Sequence, residues 1–140
     1  MIEINVFCDG GSRGNPGPSA GGVVIKDGQE KIIFKKGYFF GRATNNFAEY
    51  RALMEAINWI NDNHQAINVS QANIFLDSQL VVKQLRGEYR VKSRSLAPMV
   101  IAIQKILKQF PFPVSFVHIN REKNSEADEL VNIELDRRRV

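Results

Sequence analysis

The sequence predicts an α/β fold: one five-stranded mixed sheet, with elements in the order β-β-β-α-β-α-α-β-α and helices on both faces. Three observations carry this. Up to Ala43 the chain shows only strand-like runs broken by Gly, Pro and Asp-Gly, which reads as an antiparallel meander. A helical repeat then begins at Phe47. Beyond it, short apolar runs alternate with helical stretches, and strands joined through helices run parallel. No repeat, linker or composition break divides the 140 residues, so 1–140 is expected to form a single domain with a sizeable core.

Residues 2–8 alternate apolar and polar side chains and then turn wholly apolar, as a strand entering a core does. Asp9-Gly10-Gly11-Ser12-Arg13-Gly14-Asn15-Pro16-Gly17-Pro18 follows. Asp-Gly-Gly reads locally as a turn, and its glycines leave room for a nucleic-acid backbone. Residues 21–26 form the second strand, Asp27-Gly28 is a two-residue hairpin signal, and 31–40 return. Thr44 or Asn45 caps the first helix, where Phe47, Tyr50, Met54 and Ile57 keep helical spacing. Ala48, Ala52 and Ala56 make a small-residue stripe suited to close packing on a sheet. Residues 73–76 are a buried strand ended by Asp77, and 78–85 continue as a helix stopped by Arg86-Gly87. A further helix over 95–109 holds Pro98 in its first turn and is broken by Pro111-Phe112-Pro113. Residues 114–119 are the fifth strand, and Asn124 or Ser125 opens the last helix.

In such sheets, sites lie at the carboxyl ends of strands near a switch in strand order. Asp9 follows the first strand and Asp77 the fourth. If those strands are neighbours, the two carboxylates stand roughly 5 Å apart. Glu49 shares its helix with the packed Ala48, Ala52 and Leu53, where an unpaired acid is costly. Each acid also has a purely structural reading. Asp9 would sit in an ordinary turn, Glu49 would be a solvated charge, Asp77 an N-cap, and Asp128 part of a Ser125-Glu126-Ala127-Asp128 capping box. Taken together, clustered carboxylates repel one another unless cations lie between them. Hard oxygen ligands suit Mg²⁺ or Mn²⁺, and two such ions about 4 Å apart hold both oxygens of an in-line phosphoryl displacement. One cysteine and two scattered histidines do not supply a usual zinc set.

The net charge of +4 suits a polyanion without identifying one. Lys83, Arg86, Arg90, Lys92 and Arg94, with Tyr89 among them, form either a phosphate-contacting stretch or a solvated face. Arg137-Arg138-Arg139 serves first the dipole of the last helix. Cys8 has no internal disulfide partner and reads as a small buried hydrophobe, and His64 has no assigned role. Glu3 and Asn5 interrupt the first apolar run and no run approaches membrane-spanning length. A cytoplasmic monomer without membrane contact is the expectation.

Four blocks occur in order: Asp9-Gly10-Gly11-Ser12-Arg13-Gly14-Asn15-Pro16-Gly17, Thr44-Asn45-Asn46-Phe47-Ala48-Glu49-Tyr50, Asp77-Ser78-Gln79 and Asn124-Ser125-Glu126-Ala127-Asp128. Together they span nearly the whole chain, which resembles the type 1 ribonuclease H family in a short form without the basic handle insertion. The resemblance implies the ribonuclease H-like fold and hydrolysis of the RNA strand of an RNA–DNA hybrid. It implies two Mg²⁺ or Mn²⁺ ions held by Asp9, Glu49, Asp77 and Asp128, a metal-activated water, and 5′-phosphate and 3′-hydroxyl ends. It further implies that Asn15, Asn45, Asn46 and Gln79 read the minor groove. Gly10, Gly11 and Ser12 would approach ribose 2′-hydroxyls, and Thr44 a phosphate of the DNA strand. Small amides suit a wide, shallow groove. The loop histidine of many members has two candidate positions here. His118 matches it by count but reads as the end of a strand, which leaves Arg121-Glu122-Lys123 as a loop without its histidine. The alternatives are a non-catalytic nucleic-acid-binding module of the same fold, or a nuclease acting on double-stranded RNA or on DNA.

Overall fold

The meander is β1 (Ile2–Ser12), β2 (Gly17–Asp27) and β3 (Ile32–Ala43). The chain then runs through α1 (Asn45–Ile67), β4 (Val69–Leu76), α2 (Gln79–Leu85), α3 (Ala97–Leu107) and β5 (Val114–His118). A 3₁₀ turn (Arg121–Asn124) leads into α4 (Ser125–Arg137). The computed structural model describes residues 1–138, so Arg139 of the terminal arginine run lies outside the described residues. The five strands order as β3-β2-β1-β4-β5, with β1 parallel to β4 and β4 parallel to β5. The mixed sheet and element order expected from the sequence are therefore observed.

Alternation along β1 sends Ile4, Val6 and Cys8 into the main core. There they meet Tyr50, Leu53, Ile57 and Ile60 of α1, Val81 of α2 and Ile103 of α3. Each such side chain contributes about 1.5–3 kcal/mol on burial. On the other face α4 lies over β2 and β3, where Val131 and Leu135 pack on Ala20. Farther along the sheet a polar ladder links the strands. Asn73 Nδ2 donates to Glu3 Oε1 (2.6 Å) and Asn5 Oδ1 (3.0 Å), and Ser115 Oγ donates to Asn73 Oδ1 (2.8 Å).

Three local expectations are corrected. Asp9-Gly10-Gly11 is not a turn: it continues β1, with Asp9 opposite Gly22, Gly10 opposite Gly21 and Gly11 opposite Ala20. The chain reverses later, closed by Arg13 N–H donating to Pro18 O (2.9 Å). The Asp27-Gly28 hairpin has a three-residue loop rather than a two-residue one. Glu30 N–H donates to Asp27 O (3.0 Å), Asp27 N–H donates to Lys31 O (2.9 Å), and Glu30 takes φ 66°. Asp27 Oδ1 organises this loop by accepting from the Gln29 (2.9 Å) and Lys31 (3.0 Å) N–H groups. Finally, the expected capping box at Ser125 is absent. The N-cap of α4 is Asn124, whose side chain makes no capping bond.

Candidate active site

Two glycines let helices sink onto the sheet next to Asp9. A Cβ at Gly10 would fall on the Ala48 carbonyl and the Glu49 N–H, so α1 rests directly on β1 and brings Glu49 to the strand end. On the opposite face a Cβ at Gly22, the cross-strand partner of Asp9, would fall on the Ala127 carbonyl. Asp128 is the next residue. The parallel pairing ends with Cys8 beside Leu76, which sets Asp77 next to Asp9. At Gly10 the space a Cβ would need is taken by the backbone of α1.

The acids feel one another. Asp9 is 7% exposed. Burial first, then Asp77, a hydrogen bond and charge from Asp128, and Glu49 push its carboxyl up to about 9. Burial lifts Glu49 to about 7, opposed by a hydrogen bond from Ser78 and by Arg121, with Asp77 adding to the rise. Glu49 Oε2 is buried without a hydrogen-bond partner among the described residues. Burial and the neighbouring Asp9 also push the Cys8 thiol up, leaving it protonated.

A void of about 10 Å³ lies among Asp9, Glu49, Asp77 and Ser78. A cleft of about 300 Å³ is lined by Asp9, Glu49, Asp128, Arg121 and Asn132. Asp9 and Glu49 border both. An orphaned carboxylate oxygen, carboxyls whose protons are retained through burial and mutual repulsion, and an all-oxygen donor set fit hard divalent cations. Among the described residues no three such side chains already form a cage for one ion. That is compatible with Mg²⁺, which is usually held by one or two carboxylates plus water and substrate phosphate.

Beside the acids lies a preorganised amide cluster. Ser12 N–H and Ser12 Oγ both donate to Asn45 Oδ1 (2.9 and 3.2 Å), and Asn45 N–H donates to Asn15 Oδ1 (3.0 Å). Thr44 is the N-cap of α1, its Oγ1 accepting from Phe47 N–H (3.2 Å). Asn15, Thr44, Asn45 and Asn46 line a polar groove of about 420 Å³ together with Ser93 and Ser95. Asn45 also lines the acid cleft, which Gly10, Gly11 and Ser12 border. Asn46 continues into a third groove of about 530 Å³ with Tyr89, Arg90 and Lys92. Gln79 is exposed at the start of α2 and borders none of these hollows.

His118 ends β5 and does not line the acid cleft, whereas Arg121 does. Sequence reasoning placed Arg121 in the loop left without its histidine and gave it no role, since the count to Asp128 pointed to His118. It also missed Ser93 and Ser95, which lie in an irregular stretch without periodicity. Asn132 was missed too: its Nδ2 donates to Asp128 O (3.2 Å) and Oδ2 (3.4 Å), a relation readable as i,i+4 spacing.

Residues 7–133 match the family model described as "Reverse transcriptase-like". A solved ribonuclease H1 isolated from compost by a metagenomic approach superposes with TM-score 0.88 at 39% identity, covering 98% of both chains. The same compost enzyme has also been solved in complex with an RNA/DNA hybrid, at 38% identity and TM-score 0.87, covering 93% of this chain and 94% of that one. Ribonuclease HI of Halobacterium salinarum is 38% identical over 134 residues, 96% of this chain and 65% of its own length. A bifunctional protein of Mycobacterium tuberculosis is 33% identical over 96% of this chain, which spans only 36% of that relative's length. With the sheet order and these likenesses in agreement, the chain belongs to the reverse-transcriptase-like family and, within it, to the type 1 ribonuclease H family.

Proposed function

We propose that this chain is a divalent-metal-dependent endonuclease that hydrolyses the RNA strand of an RNA–DNA hybrid, leaving 5′-phosphate and 3′-hydroxyl ends. The observation that carries this reading is Asn45, which lines both the carboxylate cleft and the amide groove. A duplex lying along that groove places a phosphodiester at the acids. The hybrid-bound compost relative supports the choice of substrate.

Asp9, Glu49, Asp77 and Asp128 would hold two Mg²⁺ or Mn²⁺ ions, which supply positive charge to the phosphate and lower the pKa of the attacking water. Asp9 and Glu49, which border both hollows, would be among the carboxylates that hold the ions. Ser12, Asn15, Asn45 and Asn46 form hydrogen bonds to base edges and ribose 2′-hydroxyls in the minor groove, and the 2′-hydroxyl distinguishes RNA from DNA. Thr44 donates its hydroxyl proton to a DNA phosphate while its oxygen caps α1, and exposed Gln79 reaches the duplex from the start of α2. Tyr89, Arg90 and Lys92 continue the track, taking the place of the missing basic handle. The single domain acts as a monomer in the cytoplasm; among the described residues no helix is long and apolar enough to cross a membrane.

The test is cleavage of an end-labelled RNA–DNA hybrid with and without Mg²⁺, comparing wild type with Asp9→Asn and Asp77→Asn. Metal-dependent cutting by the wild type alone is expected. Equal cutting by the variants overturns the assignment. Metal-independent hybrid binding without turnover marks a binding module, and preferential competition by double-stranded RNA changes the substrate class.

A further inference from the structure

We propose that Asn124 is a positioning residue that braces the carboxylates against one another, an inference that rests on the metal-dependent reading above. Asn124 is 1% exposed and stands at the junction of the 3₁₀ turn and α4. Its place is that of an N-cap, yet its side chain makes no capping bond. Instead Nδ2 donates to Cys8 O (2.8 Å), the carbonyl immediately before Asp9, and to Asp77 Oδ2 (3.4 Å). Asp128 follows one helical turn later. One amide therefore ties together the three segments that carry Asp9, Asp77 and Asp128.

The residue type fits the task. A neutral donor holds a carboxylate without adding a fifth negative charge, and without the positive charge that would compete with a cation. An apolar side chain would take from the Cys8 carbonyl the bond that Nδ2 donates. The arrangement is not the one that maximises stability, because Asn124 Oδ1 is buried without a partner among the described residues. A buried unmet acceptor costs about 1–3 kcal/mol. Asn124 thus fixes where Asp77 and the end of β1 stand before any cation or phosphate arrives.

Asn124→Ala and Asn124→Ser separate this role from helix capping, since serine is itself a strong N-cap but is too short to reach Asp77. Both variants are titrated with Mg²⁺ by calorimetry and in hybrid cleavage. The expected result is a rise of about tenfold in the Mg²⁺ midpoint for both, with KM for the hybrid within about twofold of wild type, even where serine restores the melting temperature. A wild-type Mg²⁺ midpoint in either folded variant overturns the brace. If neither folds, the Asn124 side-chain amide resonances of the wild type are followed by NMR during Mg²⁺ addition. Movement with the midpoint of cleavage supports the brace, and static resonances overturn it. A wild type that neither binds Mg²⁺ nor cuts hybrid removes the nuclease reading and the brace with it, whereas an active wild type with unaltered variants removes the brace alone.

Discussion

Asp9 stands directly across the β1–β2 ladder from Gly22, and the Ala127 carbonyl fills the space a side chain at Gly22 would need. Ala48 has the same relation to Gly10 on the other face. Each helix thus delivers its acid one residue after an alanine seated on a glycine. Gly22→Ala is expected to lift α4, destabilise the fold by roughly 1–3 kcal/mol and lower kcat by more than tenfold. Denaturant melts and cleavage rates check this. Gly28→Ala, where a Cβ meets nothing within 4 Å, is the matched control and should change neither.

Without metal, folded Asp9 and Glu49 hold protons up to about 9 and about 7, whereas the unfolded chain loses them near pH 4. The folded state therefore binds more protons between those limits. The stability of the metal-free protein should fall as pH rises from 4 to 9, and saturating Mg²⁺ should flatten the slope. Asp9→Asn replaces a carboxyl that the fold must keep protonated at pH 8 with a permanently neutral amide. It is expected to stabilise the metal-free protein by about 1–3 kcal/mol at pH 8 while lowering cleavage at least about a hundredfold. Thermal melts across pH, with and without Mg²⁺, decide the point; a flat metal-free profile counts against the burial and repulsion described.

Arg121 lines the acid cleft and His118 does not. Arg121→Ala should lower kcat about tenfold or more, and His118→Ala should leave kcat and KM within about twofold. Steady-state kinetics on one hybrid substrate measures both, and the reverse order would assign the loop role to His118.

The groove past Asn46 carries Arg90 and Lys92. Each phosphate contact contributes about one counterion to the salt slope. Replacing both with alanine should raise KM at physiological salt and flatten the log–log salt dependence by about two, with kcat preserved. An unchanged slope would make this stretch a merely solvated face.

Glu30 occupies the left-handed region with φ 66°, at a cost glycine does not incur. Glu30→Gly is expected to stabilise the protein by about 0.5–1 kcal/mol, read as a higher melting temperature with unchanged activity.

The element order and the acid blocks were legible because periodicity and ordered motifs are local signals. What stayed hidden depended on partners far along the chain. Asp-Gly-Gly spells a turn by its letters, and only Ala48 and Ala127 reveal that Gly10 and Gly22 are seats for helices. Asn124 reads as a cap until the Cys8 carbonyl and Asp77 are seen beside it. By contrast, the alternation of Val114, Phe116 and His118 already placed His118 at the end of a strand, where the structure has it. Asp27 carried a legible turn signal but not its length, because the αL conformation falls on Glu30, a residue type with no preference for it.

Cys8, the chain's single cysteine, is 1% exposed, and its carbonyl is held by Asn124. A thiol so enclosed reacts with a disulfide reagent only when the strand end opens. Its labelling rate, divided by that of an unfolded peptide, reports the free energy of the opening that exposes the end of β1. The molecule thus carries a built-in clock beside its acid cluster, and ligands that tighten that strand end should slow it.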